Sequence, residues 1–274
     1  MRFVKAQAYG NDFLYVRRDE IDRLGVDPVA VARAICARHT GIGADGLIVF
    51  SDTPAGAVMR LINADGSPSE VSGNGVRGLG ALIARERDLA PRAEPPTAGT
   101  PADLLIDTDA GQKPLWLLGR DGDRRHLFRA GMGEVAGLAE RHLDVAGESL
   151  RLVTLQVGNP QCVLLAPLDE ARLARLGAAL QRHPAFPDQV NFEMAEVESA
   201  SRVRILIWER GVGRTESSGT GSCAAAVAAA AFGGAARETD VVAPGGTQRV
   251  EWTDEGLWLT GWAEVVAEGN WLAG

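Results

Sequence analysis

The residues whose types and spacing could do chemistry are two serines set in the same frame. Glu70-Val-Ser-Gly-Asn-Gly75 and Glu216-Ser-Ser-Gly-Thr-Gly221 both read E-x-S-G-x-G. Each places a serine, Ser72 or Ser218, and two glycines where a loop becomes a helix. The backbone N–H groups at such a helix start have no intrahelical acceptor and suit an anion such as a carboxylate. A serine hydroxyl moves a proton only with a base beside it. Glu70 and Glu216 each precede a serine by two residues, so in a turn either could approach it. The plainer reading of S-G-x-G is a serine N-cap followed by glycines for a tight turn. Two copies, each with the same leading Glu, favour a pair of related sites, one in each of two related halves. If the halves face each other, the two helix starts converge on one small anionic ligand.

Those serines must be held by the elements around them. The first copy runs into Val76-Arg-Gly-Leu-Gly-Ala-Leu-Ile-Ala84, with Val76, Leu79, Leu82 and Ile83 at helical spacing. The second runs into an almost pure alanine helix that Gly233-Gly234 should end. Strands are expected at 3–7, 14–16, 47–50 and 57–62 before the first copy. The second half should place strands at 126–129, 151–157, 161–165 and 203–208 before its own copy. Further strands are expected at 104–107, 115–118, 240–243, 248–252, 257–259 and 263–266. Asp27 with Pro28 starts a helix that the pattern carries to about His39. Another helix spans roughly 170–182, with Leu173, Leu176 and Leu180 on one face. The Pro-rich stretch 91–101 reads as a loop without chemistry, and the polar turn 119–123 as a domain junction. Strand-rich halves, each with two helices, define an α+β chain.

Composition narrows the class of partner. With 274 residues the chain can bury a large core, and its net charge of −8 argues against a nucleic-acid backbone as partner. No apolar run approaches the roughly 20 residues of a membrane span, and the first residues lack a signal-peptide core. Cys36, Cys162 and Cys223 are odd in number and scattered, which fits reduced thiols in a cytoplasm, and each reads as a small core residue. His39, His126, His142 and His183 form no pair with metal spacing, so no metal is expected.

Taken in order, the motifs resemble the diaminopimelate epimerase family of the cofactor-independent proline racemase and epimerase superfamily. They are Gly10-Asn-Asp-Phe13, Arg38-His-Thr-Gly-Ile-Gly-Ala-Asp-Gly46, Asn63-Ala-Asp-Gly-Ser67, Ser72-Gly-Asn-Gly75, Gly131-Met-Gly-Glu134, Gly158-Asn-Pro160, Val190-Asn-Phe192, Glu209-Arg-Gly-Val-Gly213 and Ser218-Gly-Thr-Gly221. The resemblance implies two pseudo-symmetric domains, each a strand-rich sheet wrapped around a central helix, with the active-site cleft between them. It places the first domain at 1–118 plus 263–274, the last strand crossing back, and the second at 119–262. It further implies epimerisation of LL- to meso-diaminopimelate without pyridoxal phosphate or any other cofactor, by two groups that remove and return the α-proton. The expected ligand is a small amino acid, and a homodimer is the expected assembly.

Carried over by position, Asn11, Asn63, Gly73, Asn74, Gly219 and Thr220 hold the reacting amino-carboxylate. Asn159, Asn191, Glu209 and Arg210 hold the distal one, Arg210 as a bidentate partner. Read singly, Asn11, Asn63 and Asn191 could equally be turn residues, and Glu209 and Arg210 a surface pair.

The family's two catalytic cysteines fall on Ser72 and Ser218, and a family histidine after the G-N-P motif falls on Gln161. A helix N-terminus contributes up to about 2 kcal/mol, or about 1.5 pKa units. That brings a thiol to neutrality but not a hydroxyl. Cys223 is no substitute, because five residues along a helix is about 7.5 Å of rise and another face. Three readings stay open: an epimerase, a relative with a different reaction such as a racemase, dehydratase or one-base isomerase, and a non-catalytic amino-acid-binding protein.

Overall fold

Each E-x-S-G-x-G segment lies between a short edge strand and a helix enclosed by its own sheet. In the computed structural model, which describes residues 1–97 and 99–272, the chain falls into two units. One comprises Met1–Gly131 with the chain from Gly261 onward, and the other Met132–Thr260.

The first unit contains β1 (Arg2–Ala8), β2 (Asn11–Arg17), α1 (Arg18–Leu24), α2 (Pro28–Ile35), β3 (Gly46–Thr53), β4 (Gly56–Asn63), β5 (Pro68–Ser69), α3 (Gly73–Glu86), β6 (Leu104–Thr108), β7 (Gly111–Asp121) and most of β8 (Arg125–Gly133). β2 pairs parallel with β3, β3 antiparallel with β4, β4 parallel with β6, and β6 antiparallel with β7. The turn expected to be a domain junction instead joins β7 to β8 as a hairpin within this unit. The second unit follows the same plan with β9 (Ala136–Val145), β10 (Glu148–Gln156), β11 (Pro160–Leu165), α4 (Glu170–Leu180), β12 (Asn191–Ser199), β13 (Arg202–Glu209), β14 (Gly213–Thr215), α5 (Gly219–Ala228), β15 (Glu238–Ala243) and β16 (Gly246–Thr253). Here β11 pairs parallel with β12, β12 antiparallel with β13, β13 parallel with β15, and β15 antiparallel with β16. β17 (Gly256–Asn270) is one strand where the sequence suggests two; it begins in the second unit and from Gly261 belongs to the first, where it pairs with β1.

The central helices are apolar because nothing around them is wet. Residues 73–84 of α3 and every residue of α5 are buried. Full burial of a side chain such as Leu79 or Ile83 contributes about 1.5–3 kcal/mol. α3 needs glycine to sit this close to its sheet: a Cβ on Gly78 would lie 2.0 Å from the Tyr15 hydroxyl. The outer helices cover the other sheet face, α2 through Val31, Ala32 and Ile35, and α4 through Leu173, Leu176 and Leu180. α2 stops at Ile35, short of His39, because Ile42 and Gly43 both fold back to donate to the Ile35 carbonyl at 2.8 and 3.0 Å. The alanine helix ends as expected at Gly234, in the left-handed region at φ 79°, after a wider π-type turn over Ala229–Gly233. The described part of 91–101 is irregular; Ala98 lies outside the described residues. Cys36, Cys162 and Cys223 are free and buried.

Candidate functional site

The repeat of topology determines where the polar residues gather. In each unit they sit at one end of the sheet, around the start of the enclosed helix. In the first unit Asn11 starts β2, Asn63 ends β4, Ser72 caps α3, and Gly73 and Asn74 form its first turn. In the second, Asn159 precedes β11, Asn191 starts β12, Glu209 ends β13, Ser218 caps α5, and Gly219 and Thr220 form its first turn. Pairing registers match as well, Asn63 standing opposite Gly46 and, one residue before the end of β13, Trp208 opposite Phe192.

Both serines act as N-caps. Ser72 Oγ accepts from the Gly75 N–H at 3.1 Å, and Ser218 Oγ from the Gly221 N–H at 3.1 Å. The plainer sequence reading is therefore true of both, and it leaves each hydroxyl proton to donate elsewhere. Ser218 is buried and lies 3.5 Å from the Thr220 hydroxyl. Its carbonyl accepts from Ser222 Oγ at 2.7 Å, and Gln248 Nε2 ties Ser222 and Ser217 together. These bonds hold the loop that delivers residue 218.

In the first unit a chain of amide and charge contacts runs across the helix start. Arg77, fully buried, donates from Nη2 to Asn74 Oδ1 at 2.5 Å. Asn74 Nδ2 donates to Asn11 Oδ1 at 3.1 Å, and Asn11 Nδ2 donates to Asp45 Oδ2 at 2.7 Å. Asp45 also takes Arg38 at 2.7 Å and the Asp12 N–H at 3.1 Å, and Asp12 pairs with Lys5 at 2.8 Å. Burial, then the Asp12 charge, raise the Asp45 carboxyl above the usual range, against its bonds from Asp12, Asn11 and Arg38. Both amide oxygens in this chain are occupied by internal donors, so what Asn11 presents outward is an N–H. An array of N–H donors at a helix start fits a carboxylate. Asn63 Nδ2 donates to Ser67 Oγ at 3.0 Å, a bond within its own turn.

In the second unit Asn191 Oδ1 accepts the Arg210 N–H at 2.9 Å, which fixes the turn carrying Arg210, whose Nη1 reaches the Asp188 carbonyl at 3.3 Å. Gln161 Nε2 donates to Asn159 Oδ1 at 2.5 Å. Glu209 Oε1 accepts from Thr215 Oγ1 at 3.1 Å. Glu216 pairs with Arg214, which also holds Glu170, on a partly exposed surface. Glu70 is partly buried in the turn before Ser72.

Sequence reasoning passed over Arg77, Asp45 and Glu193. Asp45 belongs to the motif at 38–46, and Arg77 is the one charge in the buried stretch of α3. Glu193 breaks an otherwise apolar strand start, Phe192-Glu-Met-Ala195, and is fully buried.

Among solved structures the chain is similar to a probable proline racemase from Agrobacterium radiobacter K84 (TM-score 0.72, 16% identity, covering 98% of this chain and 92% of that one). A hydroxyproline epimerase from Agrobacterium vitis superposes with a TM-score of 0.70 at 17% identity, over 98% and 91% of the two chains. A methylitaconate-delta-isomerase follows at 0.60 and 14%, over 99% and 95%. The fold is thus the α+β one, strand-rich with enclosed helices, that these racemase, epimerase and isomerase structures share. The diaminopimelate epimerase family model matches residues 3–120 and 153–268. Diaminopimelate epimerases of Desulforudis audaxviator and Desulfovibrio desulfuricans are 38% and 33% identical, over 99% of this chain in both cases and 99% and 98% of theirs. The chain belongs to the diaminopimelate epimerase family, whose members are isomerases. Among the described residues no helix is long and apolar enough to cross a membrane, and no group of His, Cys, Asp and Glu is arranged to hold a metal.

Proposed function

We propose that the chain binds diaminopimelate and exchanges its α-proton, interconverting the LL and meso forms without a cofactor, in the route to lysine and peptidoglycan precursors. The observation that carries this is the donor chain Arg77–Asn74–Asn11–Asp45 at the start of α3, in a chain matching the family nearly end to end. Asn11, Asn63, Gly73, Asn74, Gly219 and Thr220 are assigned to the amino-carboxylate at the reacting carbon. Asn159, Asn191, Glu209 and Arg210 are assigned to the distal amino-carboxylate, where a guanidinium takes two oxygens at once. Ser72 and Ser218 occupy the two proton-transfer positions, with Gln161, Glu70 and Glu216 beside them in the assignment. A hydroxyl at these positions lacks the acidity of a thiol, so turnover is slow unless another group supplies the proton. The expected compartment is the cytoplasm and the expected assembly a homodimer, the latter checked by sedimentation.

The testing experiment is α-proton exchange into deuterated water, followed by NMR, with LL- and meso-diaminopimelate against a panel of other amino acids. Exchange of diaminopimelate with interconversion of its isomers supports the reading. Exchange of a different amino acid alone moves the assignment to a racemase or isomerase of the same family. Binding of diaminopimelate without any exchange makes the chain a binding protein.

A further inference from the structure

The slot beneath the capping serine is filled by different chemistry in the two units. In the first unit the slot beneath the Ser72 turn is filled by Ile48 on β3. A Cβ placed on Gly75 would lie 2.8 Å from Ile48 Cδ1 and 3.3 Å from Ser72 Cβ. In the second unit the same slot is filled by Glu193 on β12. A Cβ placed on Gly221 would lie 2.5 Å from Glu193 Oε1 and 3.1 Å from Ser218 Cβ. The registers confirm that the positions correspond: Ile48 pairs with Tyr15 and Leu61, Glu193 with Val163 and Ile207. Glu193 is 0% exposed, and neither of its carboxyl oxygens has a hydrogen-bond partner among the described residues. Packing alone does not call for a carboxyl there, since an isoleucine meets the same need in the first unit. A buried carboxyl without a partner destabilises the fold unless something else is gained from it.

The surroundings favour one protonation state. Burial, then the charge of Glu209 on β13, push the Glu193 carboxyl well above the usual glutamate range. Cys162 on β11 is itself raised, by burial and then by Glu193. α5 brings Ser218 and Cys223 to this region and no charged residue. Glu193 is thus biased toward its protonated form and placed against the first turn of α5, on the glycine it shares with Ser218.

We propose that Glu193 is the proton donor behind Ser218, supplying through that hydroxyl the acidity that serine lacks. It acts through Ser218 and not on the ligand, so it is a positioning residue. In the step assigned to it, the Glu193 carboxyl, which has no hydrogen-bond partner among the described residues, rotates onto Ser218 Oγ; its O–H breaks and its proton passes to that oxygen. The Ser218 hydroxyl proton passes to the substrate α-carbon, whose electron pair was left by removal of the original proton. A C–H bond forms, the serine O–H is broken and remade, and a Glu193 carboxylate remains, which regains a proton from solvent through Ser218 while the group that removed the α-proton releases it to solvent. No electrons are transferred. The role of this step rests on the epimerase reading; the proton link between Glu193 and residue 218 does not.

The test uses S218C as a reporter, because a thiolate is visible by its ultraviolet absorbance, and the titration is read as the difference from the parent chain, so that Cys36, Cys162 and Cys223 cancel. If Glu193 donates to residue 218, the added thiolate is stabilised. Replacing the acid with the side chain of the first unit, E193I, should raise the thiolate midpoint by about one pH unit. E193Q, which keeps a donor, should restore part of that shift. In S218C alone, the infrared band of the protonated Glu193 carboxyl should move over the pH range in which the thiolate forms. An unchanged or lowered midpoint in E193I, or an infrared band indifferent to the thiolate, overturns the proposal; the infrared measurement needs no substitution at 193 and stands even if E193I does not fold. A raised midpoint with no diaminopimelate exchange would sink the epimerase reading and leave the Glu193 assignment intact.

Discussion

Asn74 Nδ2 donates to Asn11 Oδ1 across 3.1 Å, joining the first turn of α3 to the first residue of β2. The contact sets the orientation of two amides at once. With its oxygen taken by Asn74 and one N–H taken by Asp45, Asn11 has its second N–H to offer a ligand. The consequence is a site that presents donors and no side-chain acceptor from this pair, which selects for an anion.

The orientation depends on Asp45 having two acceptor oxygens, one for Arg38 and one for Asn11 and the Asp12 N–H. D45N offers only one oxygen, so it cannot satisfy both sides. Calorimetry with diaminopimelate should show affinity falling by about 1–3 kcal/mol in D45N, while D19N on the exposed face of α1 leaves it alone. An unaltered affinity in D45N would show that the amide orientation is set elsewhere.

Much of this frame is legible in the residues. Repetition of E-x-S-G-x-G predicts two related units, and both serines cap helices with the geometry a serine N-cap requires. Asp27 and Pro28 start α2, and Gly233-Gly234 close the alanine helix, because caps act locally. What is not legible depends on tertiary pairing. α2 ends early because a loop seven residues on returns to the Ile35 carbonyl, and no local signal states that. Glu193 reads only as one acid within the apolar stretch 192–195 until the register sets it beside Ile207 and Val163, against the first turn of α5. Arg77 reads as one polar residue in a helical run, yet it is wholly enclosed and engaged with Asn74.

The distal assignment makes a selective prediction. If Arg210, held in place by Asn191, binds a second carboxylate, R210A should weaken diaminopimelate by about 1.5–3 kcal/mol and leave a monocarboxylic amino acid such as alanine nearly unaffected. Titration calorimetry with both ligands separates the cases. Equal losses for the two would remove diaminopimelate as the ligand without touching the fold.

Glu193 also leaves a signature in stability. Its folded-state pKa is raised by burial and by Glu209, so the folded chain holds this proton more tightly than the unfolded one. The sign follows from linkage: the contribution is complete below the unfolded value and is lost as pH rises through the folded one. The chain should therefore lose stability as pH rises above the ordinary glutamate range, and E193Q should flatten that decline. Thermal melts at roughly pH 5 and pH 9 compare the two. Parallel decline in both proteins would mean that Glu193 is not the group responsible.

Restoring sulfur tests what the serines cost. Both positions 72 and 218 are N-caps whose side chain accepts a backbone N–H, and cysteine caps poorly, so S72C with S218C should lower stability by about 1 kcal/mol for each cap. The gain lies in acidity. A thiol at a helix N-terminus is brought toward the working pH, whereas the same field acting on a hydroxyl leaves it un-ionised. The double variant should exchange the α-proton of diaminopimelate far faster than the serine chain, and each single variant much less, because inversion requires one group to take a proton and another to return it. If the serine chain already turns over at an ordinary enzymatic rate, with kcat of order 1–10³ s⁻¹, serine is being activated by a neighbouring group. Glu193 at residue 218 is then the first to remove, and E193Q should abolish that rate while the double cysteine variant carrying E193Q retains most of its own.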